Sequence, residues 1–302
     1  MLMLTVLVPG GSGQLGRDLA ALASDDVEVL APGSTELDLT STGAVVDAVS
    51  SLDERARDTG RRPLVINAGA YTAVDAAETD EARAFRVNAD GPRVLAAACS
   101  SRRVPLVHVS TDYVFPGDAT RPYEPEDVPG PHGAYGRTKL AGEEAVLASG
   151  AQSWIVRTAW VYGLTGANFV QTVLRLESER DQLSVVDDQR GSPTWSADLA
   201  AGLLELGISI VDGRRPRRVL HCTGAGEVTW FGFARAIFEE IGADPARVQP
   251  CTTADFPRPA RRPAYSVLSN EAWRAAGLTP LRPWREALHA YFAAAPVPDG
   301  AN

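Results

Sequence analysis

The stretch Gly10-Gly-Ser-Gly-Gln-Leu-Gly16 restricts this chain most. It satisfies G-x-x-G-x-x-G from Gly10 and G-x-G-x-x-G from Gly11. An apolar, β-rich run at residues 4–8 precedes it, and a helical pattern over 14–24 follows. Glycines between a strand and a helix let the backbone turn tightly and approach a pyrophosphate, whose charge is favoured at a helix N-terminus. The glycine pattern alone is a weak signal, and the strand before it and helix after it are the context that gives it meaning. The expectation is the first strand and helix of a dinucleotide-binding α/β fold.

Composition narrows the partners. With 302 residues the chain is long enough for two lobes, and its 45% hydrophobic and 22% charged residues are those of an ordinary globular protein. A net charge of -9 argues against nucleic-acid and anionic-membrane partners, which reward basic surfaces. No apolar run has the length of a membrane span. The opening apolar residues lack a basic flank and a cleavage site, so they read as a strand and not as a signal peptide. Cys99, Cys222 and Cys251 are odd in number and widely spaced, which fits reduced thiols and a cytoplasmic protein. The four histidines have no metal-ligand spacing, so no metal site is expected.

The rest of the chain alternates in the same way. Residues 27–30 read as a second strand. No acid follows at its end to hold a ribose 2′-hydroxyl, and Ser34 and Thr35 could face a 2′-phosphate, which leans toward NADPH, with NADH as the alternative. Asp38 is then free to serve the adenine. Residues 42–59 predict a helix and 64–67 a buried strand, which leads into the small-residue turn Asn67-Ala-Gly-Ala-Tyr71. Residues 81–102, with Asn88, read as one helix. Residues 105–110 form a strand that delivers Ser110 and Thr111 at its C-terminal end, where ligands bind in such sheets. His108, inside that strand, reads as packed.

Tyr135 and Lys139 are four apart on a predicted helix and share one face. A lysine cation nearby should lower the tyrosine pKa and equip it to protonate a carbonyl oxygen. Residues 154–157 give another strand, and the texture then changes. Helices are expected over 168–181, 195–206, 229–241 and 283–293, strands over 183–186 and 219–223, and loops over 121–133, 188–194 and 256–263. The tail 296–302 reads as frayed. The fold class is α/β, a Rossmann-like doubly wound parallel sheet with a smaller mixed α/β substrate-binding lobe. Residues 1–162 are assigned to the dinucleotide and 163–302 mainly to the second lobe, with later segments returning to the first.

Together these pieces resemble the extended short-chain dehydrogenase/reductase superfamily and, within it, the dTDP-4-dehydrorhamnose reductases. The matching stretches run nearly end to end. They include Ser110-Thr-Asp-Tyr-Val-Phe115, Tyr135-Gly-Arg-Thr-Lys139, Arg157-Thr-Ala-Trp-Val-Tyr162, Asp188-Gln-Arg-Gly-Ser-Pro-Thr194 and Arg262-Pro263. The resemblance implies reduction of the C4 ketone of dTDP-4-dehydrorhamnose, with Tyr135 as proton donor, Lys139 on the nicotinamide ribose and Thr111 on the sugar carbonyl. It places the dinucleotide against Gly10, Gly13, Gln14, Leu15, Gly16, Asp38, Leu39, Ala68, Gly69 and Tyr71, as well as Tyr135 and Lys139. It places the nucleotide sugar against Thr111, Asp112, Tyr113, Trp160, Asn168, Gln189 and Arg262. Arg157 has the alternative reading of a buried ion-pair partner. Asp75 and Glu78 match without a catalytic task and read as helix-start charges.

Two departures bear on these expectations. Pro9 precedes the glycine cluster where a small or apolar residue is usual. Some members bind Mg²⁺ through glutamates at a dimer contact, and here Ala197 holds that position with Asp198 one place off. Mg²⁺ is therefore doubtful, and a monomer or weak homodimer is expected. A 4-epimerase or 4,6-dehydratase of the same fold and a catalytically silent regulatory subunit are the alternatives. Asp112-Tyr113 lacks the Asp-Glu pair a dehydratase would want, and the intact Thr111, Tyr135 and Lys139 weigh against a silent subunit.

Overall fold

The computed structural model describes residues 3–295. Five strands follow in order: Leu4–Leu7 (β1), Val27–Leu30 (β2), Arg62–Asn67 (β3), Leu106–Thr111 (β4) and Ser153–Thr158 (β5). A sixth, Val219–His221, arrives from far along the chain and pairs with β5. Across the sheet the order is Val219–His221, β5, β4, β3, β1, β2, and every pairing is parallel. That is the doubly wound sheet expected.

The strands are apolar on both faces because helices cover both. Successive side chains on a strand point to opposite faces, and the core divides accordingly. Val65, Leu106 and Ile155 meet the helices Thr42–Asp58 and Gly91–Arg102 through Val45, Val49, Leu52, Leu95 and Cys99. Ile66, Val107 and Val156 face the other way, against Leu199, Leu203 and Leu206 of the helix Ser196–Val211.

The second lobe has its own core of Tyr162, Val170, Trp195, Phe233, Ile237 and Tyr291. It gathers the helices Phe169–Glu179, Trp230–Glu240 and Trp284–Ala294 around three short strand pairs. Val161–Tyr162 lies beside Thr194–Trp195, and Leu183–Val186 beside Val248–Cys251.

Three expectations are corrected. The first helix is Gln14–Ala20 and stops short of residue 24, because Ser24 N–H turns back to Val27 O at 2.9 Å to enter β2. The segment 81–102 is not one regular helix: a π-helical turn, Arg86–Asp90, separates Glu81–Phe85 from Gly91–Arg102. Such wide turns are frequent at functional sites. The loop 188–194 contains a strand, Arg190–Gly191, antiparallel to Val228–Thr229. The tail 296–302 lies outside the described residues. Among the described residues no helix is long and apolar enough to cross a membrane.

Candidate active site

The glycine turn meets the loop after β3 backbone to backbone. Gly10 has φ +86°, and a Cβ built on it would stand 2.7 Å from Gly69 Cα. No side chain fits there, and the left-handed backbone independently favours glycine. Pro9 leaves this approach in place, its carbonyl accepting Ala68 N–H at 3.1 Å. Gly13 and Gln14 lead into the first helix, where Gly16 is buried and Leu15 packs against the sheet core. Leu39 is buried beside Gly69, whereas Asp38 is exposed and accepts from Thr40 N and Oγ1, both at 2.8 Å.

Polar side chains gather at the end of β4. Thr111 Oγ1 donates to Asp112 Oδ1 at 2.9 Å and accepts Tyr113 N–H at 3.2 Å. Asp112, only 2% exposed, has its carboxyl pushed up to about 6 by burial. The helix Ala134–Ala148 brings Tyr135 to the same place, its phenol beside Thr111 and its ring edge-on to Tyr113 at 5.5 Å.

The expectation of a lowered tyrosine pKa is overturned. Tyr135 is half-buried, and the protein packed around its hydroxyl desolvates it and pushes it up to about 12, against the opposing effect of the neighbouring Thr111 hydroxyl. Burial penalises the phenolate more than its neighbours favour it. Lys139 does not offset this. Its Nζ donates to Val109 O at 2.8 Å and lies 3.5 Å from His108 Nε2, and burial pushes the amine down to about 8.

A frame of polar contacts fixes the helix Ala134–Ala148. Asn88, in the π-helical turn and fully buried, accepts Tyr71 N–H at 2.8 Å and donates to Tyr71 O and Thr138 Oγ1, both at 3.1 Å. One amide therefore ties the β3 loop to the helix between Tyr135 and Lys139. Glu78 Oε1 accepts Ala134 N–H at 2.8 Å, so this carboxylate caps the helix Ala134–Ala148 and not the start of its own. Asp75 meets Arg262 at 2.9 Å and accepts Ala260 N–H at 3.2 Å, which fastens the loop 256–263 across the site. Arg157 is the buried ion-pair partner its alternative reading described. It forks onto Glu143 at 2.9 and 2.6 Å with both residues under 5% exposed.

On the second-lobe side, Trp160 has φ +48°, which a bulky residue rarely adopts. Its indole lies face to face with Trp230, ring centres 3.4 Å apart and planes within 4°. Gly191 packs close to the same indole, where a Cβ would approach it to 2.4 Å. Gln189 is buried and donates to Thr253 Oγ1 at 2.9 Å. Asn168 caps the helix Phe169–Glu179 through Gln171 N–H and donates to Gly163 O at 2.9 Å and Gln14 Oε1 at 3.2 Å. Arg262, besides meeting Asp75, lines a narrow cavity with Tyr113, His132 and Arg261.

The structure thus joins Gly10, Gly69, Thr111, Tyr135 and Lys139 along the C-terminal edge of the sheet. Asn168 is tied to the glycine-turn side through Gln14. Sequence reasoning passed over the tasks of Asn67, Asn88 and His108 and did not single out Trp230. Only Asn88 carried a local hint, a polar residue inside an otherwise helical run. Among the described residues no group of three or more metal-ligating side chains is gathered. Asp198, next to the position considered for Mg²⁺, forms an ion pair with Arg282.

The model of the RmlD substrate binding domain family matches residues 4–296. A dTDP-4-dehydrorhamnose reductase of Mycobacterium tuberculosis is 49% identical over 295 residues, 96% of this chain and 92% of that protein. A probable dTDP-4,6-dihydroxy-2-methyloxan-3-one 4-ketoreductase of Streptomyces antibioticus is 47% identical, covering 95% and 94%. A crystal structure of a Bacillus anthracis dTDP-4-dehydrorhamnose reductase in complex with NADP superposes with TM-score 0.88. It is 34% identical and covers 97% of this chain and 99% of that one.

Proposed function

The chain belongs to the RmlD substrate binding domain family, and from that membership we propose that it reduces the C4 ketone of dTDP-4-dehydro-β-L-rhamnose to dTDP-β-L-rhamnose with NADPH. The observation that carries this reading is the meeting of Thr111 and Tyr135 at the end of β4, with Lys139 one helical turn on.

The dinucleotide fits what the residues offer. The glycine turn leaves room at Gly13, where a Cβ would meet only Gly10 O at 3.3 Å, at the N-terminus of the first helix, and the B. anthracis relative carries NADP. When bound, the nicotinamide supplies the hydride to C4. Tyr135, whose proton burial holds in place, gives it to the C4 oxygen as charge develops there. Thr111 orients that oxygen, and its bond to Asp112 fixes the hydroxyl in turn. Lys139 reaches the nicotinamide ribose. Trp160, stacked on Trp230, adds an aromatic contact to the sugar, and the Asp75–Arg262 pair holds the loop 256–263 over it.

In this reading residues 1–162 serve mainly the dinucleotide and 163–302 mainly the nucleotide sugar, with Ser196–Val211 and Val219–His221 returning to the sheet. The unpaired Cys99, Cys222 and Cys251 favour a reducing cytoplasm as the site of action.

A second reading keeps the chemistry and changes the sugar. The S. antibioticus relative, nearly as similar as the M. tuberculosis one, is named for another dTDP-linked ketone. Loss of NADPH absorbance with dTDP-4-dehydrorhamnose, its UDP analogue, dTDP-4-keto-6-deoxyglucose and dTDP-4,6-dihydroxy-2-methyloxan-3-one, run side by side, separates the readings. The first expects the largest kcat/KM on dTDP-4-dehydrorhamnose. No turnover with any of the four would end both.

A further inference from the structure

His108 lies in the middle of β4, is wholly buried, and makes no contact that the chemistry above uses. Its surroundings nevertheless fix which nitrogen holds its proton. Gly69 N–H donates to Asn67 Oδ1 at 3.1 Å, so the other end of that amide, Nδ2, is what meets His108 Nδ1 at 3.0 Å. Nδ1 must accept, and a neutral imidazole that accepts at Nδ1 carries its proton on Nε2. Burial holds the ring neutral, pushing it well below the ordinary histidine range.

The Nε2–H group points at Lys139 Nζ, 3.5 Å away, while Lys139 donates to Val109 O at 2.8 Å. An ammonium has three donors and no acceptor. It can satisfy Val109 O but meets His108 donor to donor. A neutral amine can donate to Val109 O and accept from Nε2–H. The contact therefore disfavours the lysine cation. The other ionisable groups near Lys139 are few. Tyr135 and Glu143 flank it one turn away on its own helix, and Asp112 follows β4. Glu143 favours the cation, but its oxygens are engaged by Arg157 from β5.

We propose that His108 is a positioning residue that sets the charge of Lys139, its tautomer imposed by Asn67 and, through Asn67, by the backbone of the small-residue turn after β3 at Gly69. The pair couples the loop that faces the dinucleotide to the lysine that reaches the ribose. A loop displaced from Gly69 N–H would free the Asn67 amide to turn over, present its oxygen to Nδ1 and move the ring proton there. Nε2 would then accept from the lysine and favour its cation. This rests on the dinucleotide reading above, but not on the identity of the sugar.

The test uses dinucleotide binding. NADPH and NADH fluorescence titrations over roughly pH 6–10 compare the wild-type protein with His108→Asn and His108→Gln. Asparagine can keep the acceptor near Nδ1 and loses the Nε2–H. Glutamine can place an acceptor oxygen near Nε2. In both variants the loss of affinity with rising pH should move upward from the wild-type midpoint near pH 8. Each variant should then retain several-fold more of its neutral-pH affinity at about pH 9. The KM for the keto sugar should stay unchanged. Superimposable profiles for all three proteins would overturn the proposal, whereas absence of NADPH and NADH binding at every pH would overturn the dinucleotide reading instead. Imidazole nitrogen shifts of the wild-type protein supply a reading free of any variant: Nε2 protonated is expected, and Nδ1 protonated would also overturn the proposal.

Discussion

The carboxylate of Glu78 accepts the backbone N–H of Ala134 at 2.8 Å, immediately before Tyr135. A helix otherwise begins with unsatisfied N–H groups, and here Gly133 at the cap position offers no side-chain bond. The acid comes from a segment 56 residues earlier, so it orients the catalytic helix against the β3 loop while capping it.

Glu78→Ala removes that cap. Stability should fall by about 1 kcal/mol, the usual scale for a lost N-cap, and kcat should fall while NADPH affinity changes little. Glu78→Gln keeps an acceptor oxygen and should recover most of both. Thermal melts beside steady-state kinetics check this. A Glu78→Ala protein with wild-type kcat would show that the cap does not position Tyr135.

Tyr135→Phe should leave dinucleotide binding nearly intact and lower turnover by ~10²-fold or more, the scale of a lost general acid. Single-turnover measurement with bound NADPH is the appropriate check. Unchanged turnover would move the proton donor elsewhere.

Trp230→Ala takes away the face against which Trp160 lies. An aromatic pair is worth ~0.5–1.5 kcal/mol beyond its buried area, so the KM for the nucleotide sugar should rise roughly two- to tenfold. The Kd for NADPH should stay the same. An equal loss in both constants would mean that Trp230 supports the fold rather than the sugar face.

Asp112 gives stability a pH dependence of definite sign. Its folded-state carboxyl sits near 6, above the ordinary value of 3.8. The folded state therefore holds the proton more tightly than the unfolded chain. That contribution is fully present below about pH 4 and is lost as the pH rises through about 6. Replacing the acid by asparagine removes the dependence. Relative to Asp112→Asn, the wild-type protein should lose on the order of 2 kcal/mol between pH 4 and 7. Urea titrations at several pH values measure it, and a constant difference would refute the raised value.

How far the sequence was legible follows from the range over which each feature is set. The glycine turn and the run of parallel strands are written in short windows, through apolar runs of strand length and the glycines between them. Thr111 at a strand end and Tyr135 one turn from Lys139 are equally local. The tyrosine's proton affinity was misread because proximity on a helix does not report burial, and desolvation outweighed the opposing Thr111 hydroxyl. Glu78 reaching Ala134 and Trp160 meeting Trp230 join segments far apart in the chain, so no spacing announces them. Arg190–Gly191 is too short for a period to show, and its pairing comes from Val228–Thr229.

The place of Val219–His221 beside β5 has a consequence for how the protein is made. During synthesis β5 emerges some sixty residues before the strand that covers its outer edge. Until then an apolar parallel strand presents unpaired N–H and C=O groups, the template on which chains stick to one another. A nascent or truncated chain ending near residue 162 would carry that bare edge permanently. Completion of the large sheet must wait for the intervening helices, so the ribosome has to deliver Phe169–Glu179 and Ser196–Val211 before the first lobe can close.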